Sequence, residues 1–213
     1  MTTIDVDHHI NDIRRSVGSR VLEAGEARVM TVSRVYPTDQ ADLWDACTNP
    51  ERIPRWFLPV SGELRLGGRY QLEGNAGGAI EVCDAPEHLA VTWEFADQVS
   101  WLDVTLTPAA AGTTLELAHE APVDRDFWTQ FGPGAAGVGW DLGLFGLGLH
   151  LDTGESVDPA EAETWSGSPS GIEFVRQAAR GWAEAAVADG DASTAAREAA
   201  ERTVAFYTTL PDG

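Results

Sequence analysis

The chain has 213 residues, 43% of them hydrophobic and eight of them tryptophan, a composition that excludes a disordered segment and supports a substantial core. With 14 basic against 34 acidic residues its formal charge is −20, which argues against general nucleic-acid binding and against docking on anionic lipid, because both need a cationic face. No run of about 18 apolar residues appears, so no membrane span is expected, and the polar start MTTIDVDHHINDIRR lacks the apolar stretch of a signal peptide, so a cytoplasmic protein is expected.

In residues 1–26, Val6, Ile10, Ile13, Val17 and Val21 fall at helical steps, which predicts an amphipathic leader helix broken by Gly25. His8 and His9 are neighbours on it, point to different sides and make no one-face metal pair. Residues 27–36 are β-branched and alternate, as in a strand. Asp39 caps a short helix with Leu43, Trp44 and Cys47 on one face. Asn49 and Pro50 open a second short helix that Pro54 cuts off. Six further strands follow near 60–66, 69–74, 79–84, 89–95, 100–107 and 113–120, at the spacing of an antiparallel meander. A long helix runs from Gly134 to about Leu151, with Trp140, Leu144, Leu147 and Leu151 in one stripe and Gly139, Gly143 and Gly146 in another. Each glycine inside a helix costs about 1 kcal/mol relative to alanine, so the stripe means either close backbone packing or room for a ligand. Residues 152–168 read as a loop. Ser170 and Glu173 then open a helix that Gly190 stops, and a last helix runs from about Ser193 to Thr208. From residue 152 onward the chain holds 12 acids and 4 arginines.

This order implies a twisted antiparallel sheet curling round the long helix, with an incompletely filled apolar gap between them. It resembles the SRPBCC (START-like, helix-grip) superfamily, and within it the branch similar to the activator of heat-shock-protein-90 ATPase. The resemblance covers about 27–151. It rests on Pro50, Glu51, Trp56 and Phe57, on Gly67, Gly68 and Tyr70, and on Gly139 and Trp140. It implies an α+β helix-grip fold with about seven strands on a long helix and two short helices after the first strand. The segments 1–26 and 152–213 lie outside it, as an N-terminal helix and an acidic helical extension packed on the domain or on a partner. The apolar faces of these segments make a homodimer through them an expectation.

No nucleophile elbow, zincin, P-loop or dinucleotide motif is present, and the five histidines lack zinc spacing, so no cofactor and no metal are expected. Cys47 and Cys83 show no paired spacing and read as buried free thiols. Strand alternation puts Val91, Trp93 and Phe95 on one face and Leu115, Leu117 and His119 on another, both towards the helix. The expected pocket lining is Trp56, Phe57, Tyr70, Trp93, Phe95, Leu117, His119, Phe131, Trp140 and Leu144. His119 reads either as an acid, base or ligand anchor, or as a satisfied core histidine. Asp141 has no identified partner. Arg52, Arg55, Arg65 and Arg69 gather within 18 residues and form either an anion or partner patch or a face neutralised by the chain's own acids. Three functions stay open. The first is a binding module for a small hydrophobic molecule, without nucleic acid or membrane. The second is a cyclase- or hydrolase-type enzyme using the same pocket. The third is a chaperone- or stress-response interaction module.

Overall fold

The computed structural model describes residues 6–22 and 25–209. Eight antiparallel strands form one open curved sheet: β1 (Arg14–Leu22), β2 (Gly25–Tyr36), β3 (Val60–Gly62), β4 (Arg69–Leu72), β5 (Gly77–Asp84), β6 (His88–Phe95), β7 (Gln98–Ala109) and β8 (Gly112–Pro122). Their order across the sheet is β1-β2-β8-β7-β6-β5-β4-β3. The helices are α1 (Val6–Asn11), α2 (Gln40–Thr48), α3 (Arg125–Phe131), α4 (Gly134–Thr153), α5 (Pro159–Ser166), α6 (Pro169–Asp189) and α7 (Ser193–Thr208), with one 3-10 turn at Ile53–Arg55. This is the α+β helix-grip arrangement: α4 crosses the concave face, and α2 and the 3-10 turn close one end.

The register explains why that face is apolar. Met30, His119, Leu102, Val91 and Ile80 stand opposite one another across five strands, and Val32, Leu117, Val104, Leu89 and Cys83 form the next row. On β2, β8, β7 and β6 the two rows stand two residues apart, and on β5 an irregularity between Ile80 and Val82 makes the step three, so the alternation read from the sequence becomes a continuous concave wall. Two side chains of β2 anchor α4 to it. The Tyr36 hydroxyl donates to the Leu144 carbonyl at 2.8 Å, and Arg34 donates to the same oxygen at 3.3 Å.

Several elements differ from the expectation. The leader helix ends at Asn11, and residues 14–22 pair along β2 as an eighth strand. Val17 and Val21 satisfy both a helical step of four and a strand period of two, so periodicity could not separate the cases. The outcome also shows that they share no single buried stripe, since Val21 is 82% exposed. The side chain of His8 lies outside the described residues, while His9 is buried, 2.9 Å from Arg34. Asn49 closes α2 and also caps the turn that follows, its side chain accepting from the Glu51 amide at 2.9 Å and its carbonyl from the Ile53 amide at 3.0 Å, while Pro54 sits inside the 3-10 turn rather than cutting it off. The α6 cap is Ser168, two residues before the expected one; it accepts from the Gly171 amide, with Pro169 in the first turn. Residues 152–168 contain α5 as well as a loop, and α3 was not foreseen.

The terminal segments pack on the far side of α4. Trp165 of α5 stacks on Phe145 of α4 at 4.9 Å, and Phe174 of α6 lies 5.1 Å from the same ring. Trp182 of α6 is fully buried against Gly137, whose missing side chain leaves the space its indole occupies. At the centre Asp141, 0% exposed, accepts from Arg15 Nε of β1 at 3.1 Å and from the Trp182 indole N–H at 2.9 Å. One carboxylate of α4 thus joins the N-terminal strand to the C-terminal extension. Burial pushes its pKa up to about 6, opposed by the Arg15 charge and by its hydrogen bonds from Arg15 and Trp182. Arg15→Ala leaves that carboxylate buried without its cation and is expected to lower unfolding stability by about 3–5 kcal/mol in urea titration. Arg15→Met combined with Asp141→Asn should recover at least half of the loss. A single-variant loss below about 1 kcal/mol would show that the pair does not hold these segments.

Candidate functional site: an apolar cavity under α4

Between the concave face and α4 lies a half-open cavity of about 160 Å³. An apolar cavity of about 150 Å³ stays dry and admits a molecule the size of benzene. Its wall is built from four places in the chain. The α2 end supplies Cys47 and Thr48, and the 3-10 turn and the segment after it supply Ile53, Trp56, Phe57, Val60 and Leu64. The strands supply Tyr70, Leu72, Ile80, Cys83, Leu89, Val91, Trp93, Leu102, Val104, Leu115 and Leu117, and α4 supplies Trp140, Gly143 and Leu144.

The aromatic rings form a connected set, with Trp56 and Phe57 at 5.4 Å, Phe57 and Trp140 at 6.4 Å, and Trp140 and Trp93 at 5.1 Å. Their polar ends are mostly committed to the protein. Trp56 Nε1 donates to the Ala46 carbonyl at 2.9 Å, the Tyr70 hydroxyl to the Thr92 carbonyl at 2.8 Å, and the Thr48 hydroxyl to the Trp44 carbonyl at 2.7 Å. Trp140 Nε1 donates to His119 Nδ1 at 3.1 Å. The indole N–H of Trp93 and the thiols of Cys47 and Cys83 have no hydrogen bond among the described residues. Burial pushes the Cys47 thiol up to about 12 and keeps it neutral. The cavity therefore offers apolar surface, aromatic faces and very few hydrogen-bonding groups, and no formal charge.

Seven of the ten expected lining residues are on this wall: Trp56, Phe57, Tyr70, Trp93, Leu117, Trp140 and Leu144. Phe95 has the right parity but ends β6 at the hairpin tip, past the cover of α4, and is 55% exposed. Phe131 belongs to α3 and packs on Phe127 and Phe206, at 5.3 and 5.6 Å. His119 is on the concave face but stands beside Trp93 and Trp140, off the wall. The residues missed were the ordinary aliphatics and both cysteines. Strict alternation places Cys83 on the face of Glu81, and only the irregularity between Ile80 and Val82 turns it to the concave row, so no sequence signal marked it.

His119 is sealed into a chain of bonds. An indole N–H only donates, so Nδ1 accepts from Trp140 and Nε2 carries the proton towards Ser100 Oγ at 2.8 Å; Ser100 in turn donates to the Trp93 carbonyl at 3.2 Å. Burial lowers its pKa to about 4. The histidine thus holds two of the cavity's indole-bearing residues in place in its neutral form. The arginines are likewise spoken for: Arg52 pairs with Asp42 and Asp45 at 2.6 and 3.1 Å, Arg65 with Glu63 at 2.6 Å and Arg69 with Glu94 at 2.6 Å. The neutralised-face reading describes these three, and Arg55 is exposed beside the end wall. The glycine stripe divides. A Cβ on Gly146 would stand 2.7 Å from the Trp56 carbonyl, and one on Gly139 3.2 Å from the Tyr207 hydroxyl, so close packing accounts for both. Gly143 faces the cavity, 3.6 Å from the Phe57 ring.

This fold and site define a START-like helix-grip domain with an apolar interior. The family model described as activator of Hsp90 ATPase homolog 1-like protein matches residues 37–142. CalU16 from Micromonospora echinospora is 30% identical; its crystal structure aligns over 81% of this chain and 97% of that one with a TM-score of 0.65. Its solution structure aligns over 84% and 97% with a TM-score of 0.70. MLL2253 from Mesorhizobium loti, 24% identical over 59% of this chain and 97% of that chain, shares the fold at a TM-score of 0.53. No curated protein matches at a significant level. The chain belongs to the SRPBCC superfamily, in its branch of activator-of-Hsp90-ATPase-like proteins. Among the described residues, no helix is long and apolar enough to cross a membrane.

The buried histidine carries a pH signature. Its folded pKa lies below the unfolded value of 6.5, so its contribution is present above pH 6.5 and is lost as pH falls towards about 4. Relative to a His119→Gln variant, the wild-type protein should lose roughly 3 kcal/mol of unfolding stability across that window. The Asp141 titration is common to both proteins and cancels in the difference. A difference that stays flat with pH would mean that His119 is not buried in its neutral form.

Proposed function

We propose that the protein binds a small, uncharged, largely apolar molecule in the cavity under α4. The observation that carries this reading is the wall itself, with aliphatic and aromatic surface, no charged side chain, and polar ends almost all turned into the protein. A charged ligand entering it would give up hydration for no compensating partner, which costs several kcal/mol. An apolar ligand gains about 25 cal/mol for each Å² it removes from water. The Trp93 N–H and the thiols allow at most one or two acceptor atoms on such a molecule. Flat rings suit the site, because Trp56, Phe57, Trp93 and Trp140 present faces and edges for stacking. The acid–base reading of His119 gains nothing from this geometry, since both ring nitrogens are engaged and neither faces the cavity.

Gly143 supplies the test. Gly143→Ala places its methyl at ordinary contact distance from Phe57 and improves helix propensity, so it should stabilise the fold by up to about 1 kcal/mol. Gly143→Leu puts a branched side chain into the cavity. Isothermal titration calorimetry with benzene as probe should show uptake by the wild type and at least a roughly tenfold loss in Gly143→Leu, a difference of about 1.4 kcal/mol. Equal uptake by both proteins, or none by a folded wild type, would overturn the reading.

A further inference from the structure

The antiparallel helices α6 and α7 leave an open groove of about 690 Å³ on the outer side of the extension, remote in sequence from every residue of the α4 cavity. Its floor is small and apolar, formed by Ala183, Ala196 and Ala200, and Val187 and Val204 stand along it. Val187 is 39% exposed at one end. The rim is basic: Arg176, Arg180 and Arg197 line the groove, against Glu184 and Glu201. The partition of charge is uneven. Three of the four arginines after residue 152 lie on this groove, but only two of the twelve acids do. The lining therefore holds one more arginine than glutamate on a chain whose net is −20.

The rim arginines are also weakly held. Arg176 reaches Glu173 of its own helix only at 3.8 Å, Arg180 pairs with Glu184 one turn on at 2.9 Å, and Arg197 has no ion pair among the described residues. Exposed pairs within one helix contribute only about 0.3–0.5 kcal/mol, so a carboxylate from outside competes with them easily. An alanine floor lets another backbone approach closely, and the aliphatic stems of the arginines widen the apolar walls. A second copy would bring three further arginines and only two glutamates to this rim, so an element richer in carboxylates complements it better.

We infer that this groove is a docking site for an amphipathic helix of a partner protein, with small apolar residues on one face and acidic residues on both flanks. The apolar face lies on Ala183, Ala196 and Ala200, and the flanking carboxylates take the forks of Arg176, Arg180 and Arg197. The long-range field of the chain repels acidic partners in general, so recognition depends on short-range contact with this locally basic strip.

The experiment uses the full-length protein, isotope-labelled for amide NMR, and two helical peptides sharing one leucine and alanine face, flanked by glutamate in one and by lysine in the other. The glutamate peptide should shift the amides of Ala183, Val187, Ala196 and Ala200. The lysine peptide should not. Arg180→Glu combined with Arg197→Glu should weaken the glutamate peptide at least about tenfold with an unchanged circular dichroism spectrum, and added salt should weaken the wild-type complex. Failure of both peptides to bind, equal binding of the two, or shifts centred elsewhere overturns the inference. So does a concentration-dependent dimer that Ala200→Arg abolishes, because a second copy then fills the groove.

Discussion

A helix that is apolar all round has to be covered all round, and α4 is such a helix. The curved sheet covers only one side of it. Leaving the other side to water would expose Phe145, Leu147 and Val138, all buried in the folded chain. The N-terminal strand and helices α5, α6 and α7 supply the missing cover in this chain. Asp141, the carboxylate that α4 carries deep into that covered side, then cannot stay unpaired. Arg15 and Trp182 meet it from the two ends of the chain. Orientation of α4 follows, with Asp141 turned to the terminal segments and Trp140 and Gly143 turned to the cavity.

The incomplete filling of the cavity has a local cause. Five rings, those of Trp56, Phe57, Tyr70, Trp93 and Trp140, stand among the aliphatic side chains of the wall, and large rigid rings leave gaps that branched side chains would close. Gly143 adds no side chain where α4 passes them, while Gly146 lets the helix come down on the Trp56 carbonyl. The close approach at Gly146 and the space at Gly143 are therefore parts of one arrangement, less than one helical turn apart. His119 completes it from behind, since its neutral ring fixes Trp140 through one nitrogen and reaches the backbone of Trp93 through the other and Ser100.

The strand alternation from Val32 to Leu117, the Asp39 cap and the long helix were legible because each rests on neighbours within a few residues. Trp93 and Trp140 were legible for the same reason, since parity along β6 and stripe position on α4 set their direction, whereas Trp56, Phe57 and Tyr70 stood out through the motifs that carry the family resemblance. The failures have one character. Phe95 and Phe131 obeyed the local pattern but lie where α4 does not reach. In residues 152–168, Trp165 stood out as a large ring in a polar stretch, and Asp158 before Pro159 was a helix start that composition obscured.

The amino-acid sequence by itself determined the order of elements between residues 27 and 120, the long helix after them, the apolar concave face and the resemblance to the helix-grip class. Hydrophobic period and turn chemistry are local properties, and both are written in consecutive residues. Only the tertiary structure decided that residues 14–22 are an edge strand, that Asp141 is held by residues 126 and 41 positions away, and that His119 is spent on two tryptophans. Each of those outcomes depends on which distant group arrives to satisfy a buried polar atom or an unpaired strand edge, and pairing of that kind has no period along the chain.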